Sequence, residues 1–239
     1  MGVAAVISRR RTLGLEAELA VATIRALVQL GAVALVIQAI FDHLGLSGIF
    51  VLIMLTAAAW TSARRIPGVP QAPWRAAAAI GGASAVTLLP LFATGAFQLA
   101  PRFLIPLSGI VIGGAMKASS LAGLRLSEEV GDGLPEIEAR LALGVSARQA
   151  LQPSLRRSVI TALVPAIDQT KNVGLVTLPG AFVGMLLGGA SPLEAAQVQL
   201  TVLLALLGAE ALAATGTGVL VARAVIRAGE RIQPPVEAR

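Results

Sequence analysis

Uninterrupted apolar runs of about twenty residues, separated by shorter polar connections, make up most of this chain. An α-helix rises about 1.5 Å per residue, so a run of that length crosses the roughly 30 Å hydrocarbon layer of a bilayer. The pattern predicts about six helical spans, over 20–40, 48–63, 75–93, 103–124, 172–189 and 198–222. Barrel strands are excluded, because they would alternate apolar and polar residues over about ten positions. The whole chain, 1–239, reads as a single all-α domain, a polytopic membrane bundle.

The one long polar stretch, 125–171, carries helix punctuation of its own. It reads EARLALGVSARQALQP over 138–153. Pro135 is tolerated in a first helical turn, and Glu136 and Glu138 favour the positive end of a helix dipole. Gly144 suits a C-terminal cap, and Ser146 followed three residues later by Gln149 has the form of a capping box. The expectation is a short helix, a tight turn and a second helix, projecting from the membrane as an elbow.

Composition supports lipid as the outer solvent. Of the 239 residues 56% are hydrophobic and only 13% charged, with a mean hydropathy of +0.81. Soluble domains average about 25% charged residues, so too few are present here to cover a water-facing surface. There is no cysteine, hence no disulfide, thiolate metal site or thiol nucleophile. The lone histidine, His43 beside Asp42, excludes a multi-histidine zinc site within one chain and reads as solvated. The net charge of +6 is dispersed between apolar runs without an aromatic stacking set, which argues against nucleic acid.

Charge placement predicts orientation. When the connections are assigned alternately to two sides, one side holds 16 of the 19 Lys and Arg and the other only Arg102, while Arg25 and Lys117 lie inside spans. Such asymmetry places the rich side, and both termini, in the cytoplasm of a cell (plasma or inner) membrane. Residues 1–7 are apolar and precede Arg9, Arg10 and Arg11, the reverse of a signal peptide.

A charge at mid-bilayer costs about 2.5–3.5 kcal/mol on insertion scales, so each one needs a reason. Arg25 lies close enough to a span end to snorkel. Lys117 and Glu210 lie deeper and have opposite signs, which suits either an ion pair beside a pathway or two separate positions near a cavity. Asp168, Gln169, Lys171 and Asn172 stand where the polar segment enters the fifth span, as a vestibule or as interfacial solvation. Oxygen donors such as Asp168 or Glu210 suit a hard cation, with Met116 and Met185 either softer contacts or packing. Pro179 and Gly180, in TLPG, predict a kink or break whose freed carbonyls can line a cavity. Ser191, Pro192 and Glu194 form a second, structural capping box.

Two resemblances follow from these segments. Glu138, Ala139 and Gly144 are similar to the EAA loop of ABC permeases, whose short helix docks on the ATP-binding subunit, although Arg140 stands where a second alanine would be. The competing reading is a generic amphipathic connector. More widely, RALVQL at 25–30, GGAM at 113–116, LALGVSARQA at 141–150 and GLVTLPGAFVGMLLGGASPLEAAQVQ at 174–199 resemble the FetB-type iron-export permease family, over nearly the whole of 10–223.

That resemblance implies a permease that binds no cofactor itself and pairs with a separate ABC ATPase carrying ATP and Mg, as two permeases with two ATPases. It also implies export of iron, or among relatives metal tolerance through sugar-nucleotide movement. Glu138, Ala139, Gly144 and Ser146 would then couple to the ATPase, and Lys117, Glu210, Asp168, Asn172, Met116, Pro179 and Gly180 are pathway candidates. Two departures stand out: Gly114 replaces the asparagine of the family's GNAM, and of a usual preceding span only 3–7 looks like a tail.

No GxxxxGK[ST] loop is present to wrap phosphate, so active transport requires a partner. An alternative is an ATP-independent secondary transporter or channel with Lys117 and Glu210 as relay. An intramembrane enzyme is disfavoured by the lack of any Ser/His, Asp/Asp or HExxH constellation.

Overall fold

The computed structural model describes residues 14–66, 68–227 and 229–233. Among them are eight helices: α1 Glu16–Ile40, α2 Leu44–Ala63, α3 Ala72–Ala93, α4 Pro101–Asp132, α5 Leu134–Ala142, α6 Ala147–Asn172, α7 Gly180–Leu187 and α8 Pro192–Val225. A small antiparallel hairpin follows, pairing β1 Ile226–Arg227 with β2 Arg231–Ile232. The expected tail at 3–7, with the arginines at 9–11, lies outside the described residues.

The chain divides at Ser47 into two compact units. In the first, α1 is a 25-residue helix with Glu16 and Glu18 in its first turn, where the helix dipole favours acids. Its last turn leads through a tight turn at Phe41 and Asp42 into α2, in whose first turn Ser47 donates a hydrogen bond to the His43 carbonyl at 3.0 Å.

The second unit is the all-α bundle. Five helices of the chain, α1 to α4 and α8, are long and apolar enough to cross a membrane. The most extensive packing is between α4 and α8, which run parallel: Gly114 lies against Leu206 and Glu210, and farther along Thr217 bonds Ser119. Small residues make the approach possible. Ala115, Ala118 and Ala122 of α4 and Ala209, Ala213 and Ala214 of α8 are all buried.

Because α4 and α8 point the same way, the chain must return across the bundle between them. The expected span over 172–189 does not do this as one helix. α6 ends at Asn172, residues 173–179 are non-helical, and α7 has only eight residues, about 12 Å of rise. Gly174 takes a φ of +84°, which ends α6, and Pro179 lacks an N–H and bars Leu178 from helical geometry.

The later half of α6 supplies the rest of the crossing. Leu155 and Val159 pack on Gly218 of α8, Ala162 clusters with Ala118 and Ala214, and Val173 and Gly174 lie near Gln199 and Leu203. So α6 runs antiparallel to α8 into the bundle, and within 125–171 only the part before α6, the end of α4 with α5 and its turn, serves as a connection. The apolar face of α6 was hidden in the sequence by Arg156, Arg157, Asp168 and Lys171 on the other faces.

The two ends of the bundle are distinct. The end of α2, the start of α3, the end of α4, α5, the start of α6 and the end of α8 share one apolar cluster that includes Ile66, Leu126, Ile137, Leu151 and Val221. The arginine-rich connections meet at this end. At 32 and 34 residues, α4 and α8 are about 48 and 51 Å long, so they overshoot the hydrocarbon layer by about 20 Å.

Candidate transport pathway and coupling elbow

Three buried hydroxyls tie α2, α4 and α8 together. Ser119 Oγ of α4 lies 2.9 Å from Ser62 Oγ of α2 and accepts from Thr217 Oγ1 of α8 at 2.8 Å. Each such bond within a membrane is worth about 0.6 kcal/mol, so the trio is a modest clamp that fixes register.

Near this clamp lies Glu210, 8% exposed and pressed against Gly114. A Cβ built on Gly114 would stand 2.9 Å from Glu210 Oε1 and 2.2 Å from Leu206 Cδ1. The absence of a side chain at Gly114 is therefore what leaves room for this carboxylate. Lys117 stands on the exposed side of α4, and no salt bridge within 4.0 Å joins it to Glu210. The geometry is that of two separate positions, one inside the bundle and one facing out of it. Met116 packs against the apolar cluster around Ala115 and Ile112.

Asp168 and Asn172 are exposed on the last turns of α6. Antiparallel register with α8 puts them deep beside the broken crossing rather than at its polar entrance, which corrects the expected vestibule. Pro179 and Gly180 begin α7, and Val173, Gly174, Leu178, Pro179 and Gln199 line a cavity of about 280 Å³. Gln199 is 7% exposed, and its buried Oε1 has no hydrogen-bond partner. Among the described residues no three His, Cys, Asp or Glu side chains gather to hold a metal ion.

The elbow forms where its punctuation lies. α5 closes in a Schellman turn: Val145 N–H donates to Arg140 O at 3.1 Å and Gly144 N–H to Leu141 O at 2.9 Å, with Gly144 at φ +84°. Ser146 caps α6 by accepting from Gln149 N–H at 3.4 Å. The reciprocal half of the box differs, since the Gln149 amide takes the Ser146 hydroxyl proton at 2.9 Å instead of reaching the Ser146 backbone. Arg140 braces the joint. Its Nη1 donates to Ala150 O on α6 at 3.2 Å and its Nη2 to Glu136 Oε1 at 2.6 Å. Ile137 is buried beneath, while Glu138, Ala139, Gly144 and Ser146 are exposed.

Residues 1–226 match the family described as Uncharacterised protein family (UPF0014). The chain belongs to this family of membrane proteins. It is 40% identical to UPF0014 membrane protein STAR2 of Oryza sativa subsp. japonica, over 87% of this chain and 74% of that protein. It is 34% identical to Protein ALUMINUM SENSITIVE 3 of Arabidopsis thaliana, over 87% and 77%. Against the Probable iron export permease protein FetB of Escherichia coli (strain K12) the identity is 33%, over 88% and 82%. No solved structure matches the chain.

In this UPF0014 protein one contact at the elbow escaped sequence reading. The hairpin after α8 folds back so that the Glu230 carboxylate accepts from Ala147 N–H, the first amide of α6, while Ile226 and Ile232 join the apolar cluster with Leu141 and Val145. The signal was a short alternation, IRAGERI, with Gly229 at its turn. Glu230→Ala should free the hairpin. An N-terminal cap is worth about 1 kcal/mol, so amide exchange across 226–233 should speed up about fivefold, with exchange in mid-α8 unchanged. Equal exchange in both proteins would mean that the carboxylate holds nothing.

Proposed function

We propose that this protein is the membrane permease subunit of an ABC transporter, exporting iron or another metal ion with ATP hydrolysed, with its Mg, on a separate ATP-binding subunit. The arginine-rich end and the C-terminus lie in the cytoplasm of the plasma or inner membrane. Two copies of the chain assemble with two ATPases.

The observation that carries this reading is the elbow. α5 is exposed on its Glu138–Ala139 side, buried through Ile137 and braced to α6 by Arg140. A load on α5 therefore passes into α6, a 26-residue helix about 39 Å long whose far end is the break at 173–179. A cytoplasmic push thus reaches the non-helical stretch that interrupts this crossing. Residues beside that break, Asp168, Asn172, Pro179 and Gly180, together with Glu210, Lys117 and Met116, form the pathway. Among the described residues of one copy no cluster of metal donors gathers, and in this scheme a cation in transit draws carboxylates from both copies and carbonyls freed at the break. The relative named as a probable iron export permease supports this choice of cargo.

The test is reconstitution in liposomes with the ATP-binding subunit. ATP hydrolysis should rise with ferrous iron or another metal, and metal should move only when ATP is hydrolysed. Sugar nucleotides stimulating in place of metals would change the cargo. Transport that continues with an ATPase-dead partner would replace the scheme with a gradient-driven carrier.

A further inference from the structure

At the arginine-rich end, α6 and α8 enclose a groove of about 410 Å³ whose lining falls into two parts. The floor is apolar, made by Leu151, Leu155, Val159 and Ile160 of α6 and Val219 and Ala222 of α8. The rim carries Arg148 and Arg156 from α6 and Arg223 from α8. Along α6 the stretch from Arg148 to Ile160 rises about 18 Å. The groove therefore runs from the polar end of the helices down to the level of Gly218 in the apolar bundle.

These three arginines differ from the paired ones beside them. At the same end Arg125, Arg140 and Arg157 are each paired with a glutamate at 2.6–2.8 Å. Among the described residues, Arg148, Arg156 and Arg223 have no ion-pair or hydrogen-bond partner, and all three are exposed. Long cationic side chains near a span end border the headgroup layer, where a phosphate meets them without crossing hydrocarbon.

We propose that this groove is a binding site for an anionic phospholipid of the adjoining leaflet, its acyl chain lying on Leu155, Val159 and Val219 and its phosphate held by the three arginines. Both halves of the lining are then matched by one molecule. An acidic protein segment would pair the arginines and leave the floor bare, and an apolar helix would do the reverse. The site does not depend on the coupling scheme above, since it needs only the bilayer.

Native mass spectrometry of the full chain, released from micelles doped with phosphatidylglycerol or phosphatidylcholine, tests this. Each arginine near a membrane surface gives about a fivefold preference for an anionic lipid, so the wild type should retain phosphatidylglycerol over phosphatidylcholine by about a hundredfold. Arg148→Gln, Arg156→Gln and Arg223→Gln should each lower that ratio about fivefold, and the triple variant should erase it. Arg125→Gln with Arg157→Gln, which removes paired arginines at the same end, should leave it intact. Equal retention by the wild type and the single variants would overturn the proposal. So would displacement of the lipid by glycerol phosphate, which would mark a soluble-anion site, or loss of a dimer without any change in lipid, which would mark an interface between copies.

Discussion

Replacing Gly144 by valine should sharply reduce ATP-driven transport while leaving the protein in the membrane. Gly144 has a φ of +84°, and no atom lies within 4 Å of the Cβ it lacks. Any penalty is therefore one of backbone conformation and not of space. A left-handed conformation costs a non-glycine residue about 1–3 kcal/mol, most for a β-branched one. The cheapest relief is to unwind the turn, losing the bonds from Gly144 N–H to Leu141 O and from Val145 N–H to Arg140 O. α5 then swings free of α6, and a push on it no longer reaches the broken crossing. No membrane-level contact is touched, so insertion and yield should be unchanged. Asparagine tolerates the left-handed region better than alanine, and alanine better than valine, so coupled transport should fall in the order Asn, Ala, Val. The valine variant should lose about ten- to a hundredfold, read as metal-stimulated ATP hydrolysis in liposomes. Normal coupling in that variant would take the elbow out of the mechanism, even if the two subunits still co-purify.

The elbow was legible because its instructions are local. Pro135, Gly144 and Ser146 each fix the backbone within one turn, and the helices begin and end where those residues stand. The first four spans and the last were legible for a similar reason, since apolar runs dominate their composition. The fifth crossing was legible only in part. Pro179 and Gly180 marked the break, but an average of apolarity over 172–189 does not register that Gly174 already ends α6, nor that α6 carries a buried stripe of Ser158, Ala162 and Ala166 between charged neighbours. The hydroxyl clamp was invisible for a different reason. Ser62, Ser119 and Thr217 are distant in sequence, and each alone is an ordinary small residue of a membrane helix. Glu210 was flagged by the cost of its charge, whereas its dependence on a side-chain-free position at 114 is a property of the α4–α8 contact alone.

That contact leads to the second large effect. Glu210→Leu should leave a protein at least as stable as the wild type that transports far more slowly. A carboxylate buried among Leu206, Gly114 and the α4–α8 alanines gives up hydration, and the nearby Lys117 does not close a salt bridge with it. Replacing poorly compensated buried charge by an apolar side chain of similar volume is commonly neutral or stabilising, by about 1–4 kcal/mol. Retention of an unfavourable group is best understood if the group works on cargo, where a charge-assisted contact is worth about 1.5–3 kcal/mol, or about ten- to a hundredfold in rate. Transport should therefore fall by that factor in Glu210→Leu, and nearly as far in Glu210→Gln, while the thermal midpoint in detergent stays level or rises. Gly114→Ala gives an independent route to the same atom. Its methyl must displace the tips of Leu206 and Glu210, both flexible, so the fold survives while the carboxylate moves, and transport should drop without a matching loss of stability. If Lys117 shares the work, Lys117→Met combined with Glu210→Leu will cost no more than the worse single change, whereas independent roles will add. A Glu210→Leu protein that is destabilised yet transports normally would make the carboxylate a packing element, and the pathway would have to be sought along α6 instead.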